Sequence, residues 1–274
     1  MSFNSLEISG DSSQPVELYE FTYQGVTHYY TSSEAPITIN AVVYTPMQIA
    51  RSAIQNSGEI GKNNLTLTCP ETFDMAVLFQ AGPPDDIVTL VLKRAQYSAL
   101  DLADIQIFWV GRITAVSWPP LRSEITLESI FTALRQAGVH RIYTVNCPYA
   151  LYGSECTANI LLYQQTIDID GGQNGNILTA SAFALEPNGW YAGGKVIWQS
   201  SPGVYVKRGI KNHTGDQVEL TFAMPNFTAG TSVIVAPGCD HSFSTCGSKF
   251  ANQANFGGFP FFQQKNPWGS VSVF

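Results

Sequence analysis

Five cysteines are the residues of this 274-residue chain best suited to chemistry. Cys147 and Cys156 bracket "PYALYGSE", and Cys239 and Cys246 bracket "DHSFST". A long β-rich stretch separates the two pairs, which suggests four thiols brought to one point by folding. Three kinds of chemistry suit such a set: two disulfides, an all-cysteine zinc site, or an iron–sulfur cluster. Zinc favours knuckles with about two to four residues between cysteines, whose amides wrap a small ion. The loops here are wide for that geometry. A bulkier cluster accepts thiolates arriving from several directions. Disulfides also fit the spacing but belong to oxidising compartments. The N-terminal "MSFNSLEISGDSSQPVELYEF" lacks the basic and apolar regions of a secretory signal, so a reducing compartment is expected. The residues alone leave all three readings open. Cys69, after "NLTLT", has no paired neighbour and reads as a buried small hydrophobe.

Other chemistries find less support. His28, His140, His213 and His241 are scattered, with no H-E-x-x-H and no G-x-S-x-G. "DIDGGQNG" carries Asp168 and Asp170 but fails the calcium-loop spacing and reads as a hairpin turn. "SGEIGKN" at 57–63 lacks the first glycine and the Ser/Thr of a phosphate loop. Asp85 and Asp86 sit together in a "GPPDD" loop, where turn capping accounts for them. Nothing here argues for an enzyme. The net charge is −7 with no cluster of Lys or Arg, so no basic footprint exists for sequence-specific nucleic-acid binding. No apolar run approaches the ~20 residues that span a bilayer. Charged residues make up 13%, against roughly 25% in average soluble proteins. So few charges hint at a surface covered by partners in an assembly.

The elements that must position the cysteines are strands. "VELYEFTYQGVTHYYTS", "ITINAVVYTPMQIA", "NNLTLTCP", "DIVTLVLKRAQ" and "DIQIFWVGRITAVSW" alternate Val, Thr, Tyr and Ile with polar residues. A short helix is expected near 72–81, and 123–137 mixes strand alternation with helical spacing. In the second half, strands are expected at 176–185, 189–200, 203–211, 216–223 and 231–236, with a hairpin around Ser200 to Gly203. The fold class is all-β, in two β-rich domains at 1–145 and 146–274.

The block "NCPYALYGSEC", followed about eighty residues later by "GCDHSFSTCGSKFANQANFGGFP" and "NPW", resembles the minor tail protein that forms the tail-tip hub of lambda-like siphophages and of gene transfer agents. "FWVGRITAV" and "GWYAGGKVIW" extend the similarity through most of the chain. The resemblance implies a non-enzymatic structural protein of the virion tail tip (baseplate), assembled in the bacterial host cytoplasm. It implies a homotrimer between the ring of distal tail proteins and the central tip or fibre protein, with the tape measure protein as a further neighbour. It implies a tube- or barrel-like N-terminal hub domain and a C-terminal β domain closed by a [4Fe–4S] cluster on Cys147, Cys156, Cys239 and Cys246, with zinc as the rival metal. Such a centre would fasten the inter-domain segment at 147–156 to the far end of the C-terminal domain. Gly257, Gly258, Asn252 and Asn255 would let amides approach the sulfurs, and Phe250, Phe256 and Phe259 would pack around them. Two rivals remain: an iron–sulfur redox protein, and a disulfide-stapled carbohydrate-binding adhesin whose Trp190, Trp198 and Trp268 stack on sugars.

Overall fold

A computed structural model describes residues 7–8, 14–54, 63–80, 82–97, 105–135, 143–173, 175–201, 204–224 and 228–261. The Gly-Lys turn at 57–63, the turn at 200–203, His140 and Trp268 fall wholly or partly outside them. The chain divides into two compact units, Met1–Ala137 and Gly138–Phe274. The break precedes the 145/146 position read from the sequence, and under either boundary all four paired cysteines belong to the second unit.

The described residues of unit 1 form nine strands: β1 (Pro15–Tyr23), β2 (Val26–Thr31), β3 (Ile37–Ile39), β4 (Val42–Pro46), β5 (Ala50–Arg51), β6 (Leu65–Pro70), β7 (Thr89–Gln96), β8 (Gln106–Ser117) and β9 (Arg122–Ser129). They form one sheet in the order β3-β4-β2-β1-β7-β8-β9-β6-β5. Every neighbouring pair is antiparallel except β2 with β4. The run read as continuous over 16–32 is a hairpin. Gln24 and Gly25 both take positive φ, 47° and 80°, which makes the two-residue turn whose twist matches the strands it joins. Strict alternation governs β6, where Leu65, Leu67 and Cys69 point inward, and β9, where Ser123, Ile125, Leu127 and Ser129 do. Phe21, Tyr30 and Phe73 meet edge-on with ring centroids 5.1–6.1 Å apart and anchor this core. Each such side chain contributes about 1.5–3 kcal/mol by leaving water. The expected helix shrinks to α1 (Asp74–Val77), and the mixed segment 123–137 resolves into β9 followed by a 3-10 helix, Ile130–Arg135.

Unit 2 holds β10 (Gln165–Asp168), β11 (Gly171–Gln173), β12 (Ile177–Thr179), β13 (Lys195–Ser201), β14 (Val204–Thr214), β15 (Gln217–Leu220) and β16 (Ser232–Ala236), in the order β10-β16-β13-β14-β15-β12-β11. All pairs are antiparallel. The strand expected at 176–185 stops at Thr179 and gives way to a 3-10 helix, Ser181–Leu185. The one expected at 189–200 begins only at Lys195, because Gly189 to Gly194 turn back on themselves through Ala192 N–H to Gly189 O and Gly194 N–H to Tyr191 O. Phe183, Tyr191 and His213 form an aromatic cluster in the core beside Val196, Val218 and Val235. The class is mostly β, and the helical turns serve the ends of strands.

Candidate metal centre

The two cysteine pairs reach one place by different routes. Cys239 follows β16 through Pro237 and Gly238. That turn is tight: a Cβ on Gly238 would lie 1.7 Å from Ala192 O, so only glycine lets the chain pass there. Cys246 sits on α2 (Phe243–Ser248), a helix absent from the sequence expectations and capped by Ser242, whose hydroxyl accepts from Thr245 N–H at 3.1 Å. Cys147 and Cys156 lie on a strandless loop folded by its own turns, with Gly153 N–H on Ala150 O and Thr157 N–H on Gly153 O.

Hydrogen bonds then lock the loops to each other. Cys147 N–H donates to His241 O at 2.8 Å. Tyr152 Oη donates to Pro237 O at 2.8 Å, and Tyr163 Oη to Phe250 O at 2.7 Å. Asn252 bridges the two pairs: its Nδ2 donates to Cys156 O at 2.6 Å, and its backbone N–H to Cys246 O at 3.0 Å.

Cys147, Cys156, Cys239 and Cys246 all line a single cavity, together with Tyr149, Phe250, Asn252 and Phe256. All five cysteines of the chain are free thiols. The disulfide reading therefore has no counterpart here. Donors converge on three of the four sulfurs. His241 N–H points at Cys239 Sγ (3.3 Å), Gly257 N–H at Cys147 Sγ (3.4 Å), and Asn252 Nδ2 at Cys156 Sγ (3.7 Å). Such donors favour thiolate over thiol. Burial pushes the Cys239 thiol up against the pull of the His241 amide, and Asp240, Cys156 and Cys147 push it the same way. Burial likewise raises Cys246, with Cys239, Cys147 and Cys156 adding to it. The thiols are thus within electrostatic range of one another, the situation that a bound cation reverses.

Backbone strain gathers at the same place. Of eight non-glycine residues with left-handed φ among those described, four lie in these loops: Tyr152 (62°), Thr157 (56°), His241 (63°) and Ala251 (47°). For the β-branched Thr157 this is a true outlier. Strain of about 1–3 kcal/mol per residue persists only where the surroundings enforce it, and it collects at functional sites.

Among the described residues, no group of three or more His, Cys, Asp and Glu side chains is placed to hold a single metal ion. A zinc ion with Zn–S near ~2.3 Å needs its sulfurs roughly 3.8 Å apart. The donor set is four thiols lining one apolar-walled cavity, with N–H groups directed at three of the sulfurs.

The sequence expectations for the surrounding residues divide. Phe250 and Phe256 line the cavity, as expected. Phe259 is not among the lining residues above; its ring pairs with Tyr143, centroids 4.8 Å apart. Asn255 also lines the cavity and donates to Asn252 Oδ1 at 2.7 Å. Sequence reading missed Tyr152, Tyr163 and Lys249, whose partners lie about 60–90 residues away along the chain and leave no local trace. Of the residues named for sugar stacking, Trp268 lies outside the described residues. Trp198 is buried in the core, and half-buried Trp190 carries the Lys249 ammonium 4.1 Å from its ring centroid. His213 is buried, its Nε2 lying 3.2 Å from Phe183 O and 3.1 Å from Gly215 O. Asp170 accepts from Ser181 N–H at 2.9 Å, and Asp168 accepts from Ser232 Oγ across the β10–β16 pair, so both have structural partners. No helix among the described residues is long and apolar enough to cross a membrane.

Comparison with known proteins places this geometry in context. Residues 189–266, with the second cysteine pair, match the family described as phage conserved hypothetical protein BR0599. A protein of Xylella fastidiosa (strain 9a5c), described as uncharacterized, is 26% identical over 137 residues, 46% of this chain; the match spans 28% of that protein's length. The solved virion of the native gene transfer agent (GTA) particle contains a chain of the same fold, with a TM-score of 0.78 and 19% identity over 100% of this chain and 99% of that one. Residues 8–159, more than half of the chain and including the first cysteine pair, match the family described as baseplate hub protein, N-terminal attachment domain, and the chain belongs to that family.

Proposed function

We propose that the chain is a non-enzymatic structural subunit of a phage tail tip, a homotrimeric baseplate hub between the distal tail ring and the central tip or fibre protein. Unit 1 supplies the tube-like attachment part. Unit 2 is closed by a [4Fe–4S] cluster held by Cys147, Cys156, Cys239 and Cys246. The observation that carries the reading is the convergence of four free thiols on one cavity, with donors aimed at three sulfurs, in a chain of the baseplate hub family. When bound, such a cluster supplies a four-point cross-link. The chain's own residues orient the thiolates, donate hydrogen bonds to them and shield them with Phe250 and Phe256.

The cross-link lies within unit 2, since both loops belong to Gly138–Phe274. It therefore stabilises that unit internally, which replaces the expectation of a clasp between domains. Anaerobic purification with metal analysis and a visible spectrum tests the centre. Brown protein with a broad band near ~400 nm and about four iron per chain supports it. One zinc per chain without colour overturns it. Light scattering tests the trimer, with a mass near three times that of the chain expected.

A further inference from the structure

We propose that Lys249 is a positioning residue for the four-cysteine centre: it pins the Cys239 turn in place and brings a positive charge to the carbonyl just ahead of Cys239. This rests on the cluster reading above. Lys249 follows α2 by one position, three residues after Cys246, yet its side chain does not run into solvent. Its Nζ donates to Trp190 O and, at 2.7 Å, to Gly238 O, the carbonyl just ahead of Cys239. The ammonium sits 4.1 Å from the Trp190 ring centroid and 5.6 Å from that of Phe250. Phe250 also walls the cysteine cavity. One side chain therefore ties the 190 turn, the Cys239 turn and the end of α2 together.

The surroundings explain why a cation belongs there. Cys239 and Lys249 both line an open cleft of about 500 Å³, and Cys239 also lines the cysteine cavity. Cys239 is thus the sulfur shared by both spaces, and Lys249 stands on the cleft side of it. Burial pulls the lysine below its usual range, and the charge on Cys239 is the largest influence opposing that, followed by Glu186 and Asp240. Four thiolates around a cluster leave net negative charge, and adding an electron makes it more negative. A cation held near one sulfur by two carbonyls and two rings stabilises the reduced state most.

The test compares wild type, Lys249→Met and Lys249→Arg as anaerobically reconstituted full-length protein, with iron measured in each. At the wild-type midpoint potential, the reduced-to-oxidised ratio of Lys249→Met is expected to fall about tenfold, a shift of about 59 mV for a one-electron couple. Lys249→Arg is expected to recover most of it. A merely structural role would lower iron content or melting temperature without moving the potential of the loaded fraction. An unmoved midpoint at equal iron content therefore overturns the inference.

Iron-free protein keeps the question decidable if wild type holds no iron, which by itself sinks the cluster reading, or if Lys249→Met takes up none. Peptide mapping after limited alkylation is expected to show the Cys239-to-Cys147 labelling ratio rising at least threefold in Lys249→Met. An unchanged ratio refutes the pinning role independently of any cluster.

Discussion

Removing the cross-link proposed for unit 2 has a calculable effect on stability. The long loop it closes runs from Cys156 to Cys239, and chain-entropy reasoning gives roughly 4.5 kcal/mol for tying off a loop of about 80 residues. Native-state strain reduces this, so it is an upper bound for that one loop. For a unit the size of Gly138–Phe274, with about 2.1 cal/mol/K of unfolding entropy per residue, the bound corresponds to about 16 °C in melting temperature. Cys239→Ser and chelator-stripped wild type are expected to lose the same amount, because both remove the link and leave the sheet β10–β16 otherwise intact. Differential scanning calorimetry reads the shift, and hydrogen exchange of β13 and β16 amides assigns it to unit 2. Unit 1 carries an internal control in Cys69→Ala, which empties a small buried site and costs about 1 kcal/mol there alone. The reasoning fails if iron-bearing and iron-free wild type melt together. It fails also if Cys239→Ser falls well below the stripped protein, since the loss would then belong to the side chain and not to the link.

Three further outcomes are expected. Burial pushes the Cys69 thiol up to about 12, so native protein treated with iodoacetamide at pH 8 is expected to leave Cys69 unlabelled until denaturant is added, read by peptide mass. For Glu17, burial is the largest single influence and opposes ionisation. The hydrogen bonds from Arg51 and Tyr19 and the charges of Arg51 and Arg94 together outweigh it and hold the carboxyl below its usual range. The stability this contributes is present above pH ~4.3 and is lost as pH falls through the lower folded value. Glu17→Gln is therefore expected to cost about 2 kcal/mol at neutral pH, with the gap to wild type closing on acidification, as urea titrations at each pH would show. At the β3–β4 turn, Asn40 and Ala41 take φ of 49° and 63° where glycine is favoured, so Ala41→Gly is expected to stabilise unit 1 by about 1 kcal/mol in the same assay.

Strand alternation was readable because one face of each sheet is buried: Leu65, Leu67 and Cys69 announce β6 by their two-residue spacing alone. The grouping of Cys147, Cys156, Cys239 and Cys246 was readable from residue type and spacing. What closes the centre was not. The Tyr152 bond to Pro237, the Asn252 bond to Cys156 and the Lys249 bond to Trp190 join residues far apart in sequence, and nothing local in the chain encodes them. The run "GWYAGG" misled because its apolar residues serve turns, Tyr191 entering the core from a bend instead of from a strand. Likewise α2 is too short for helical periodicity to show over its six residues.

The family boundary and the folding boundary differ, and the difference bears on how the centre is made. The attachment-domain match ends at 159, whereas unit 1 ends at Ala137. The matched sequence therefore carries the first cysteine pair into unit 2, where that pair has no strand of its own to hold it. Its conformation comes from the second pair's neighbourhood: His241 O takes the Cys147 amide, Pro237 O takes Tyr152, and Asn252 takes Cys156. Tyr152 and Thr157, both in left-handed backbone, would relax without those partners. The two loops are thus halves of one structure that neither sequence match contains whole. A cross-link between them, as proposed, would depend on both loops being held together by β16 and α2.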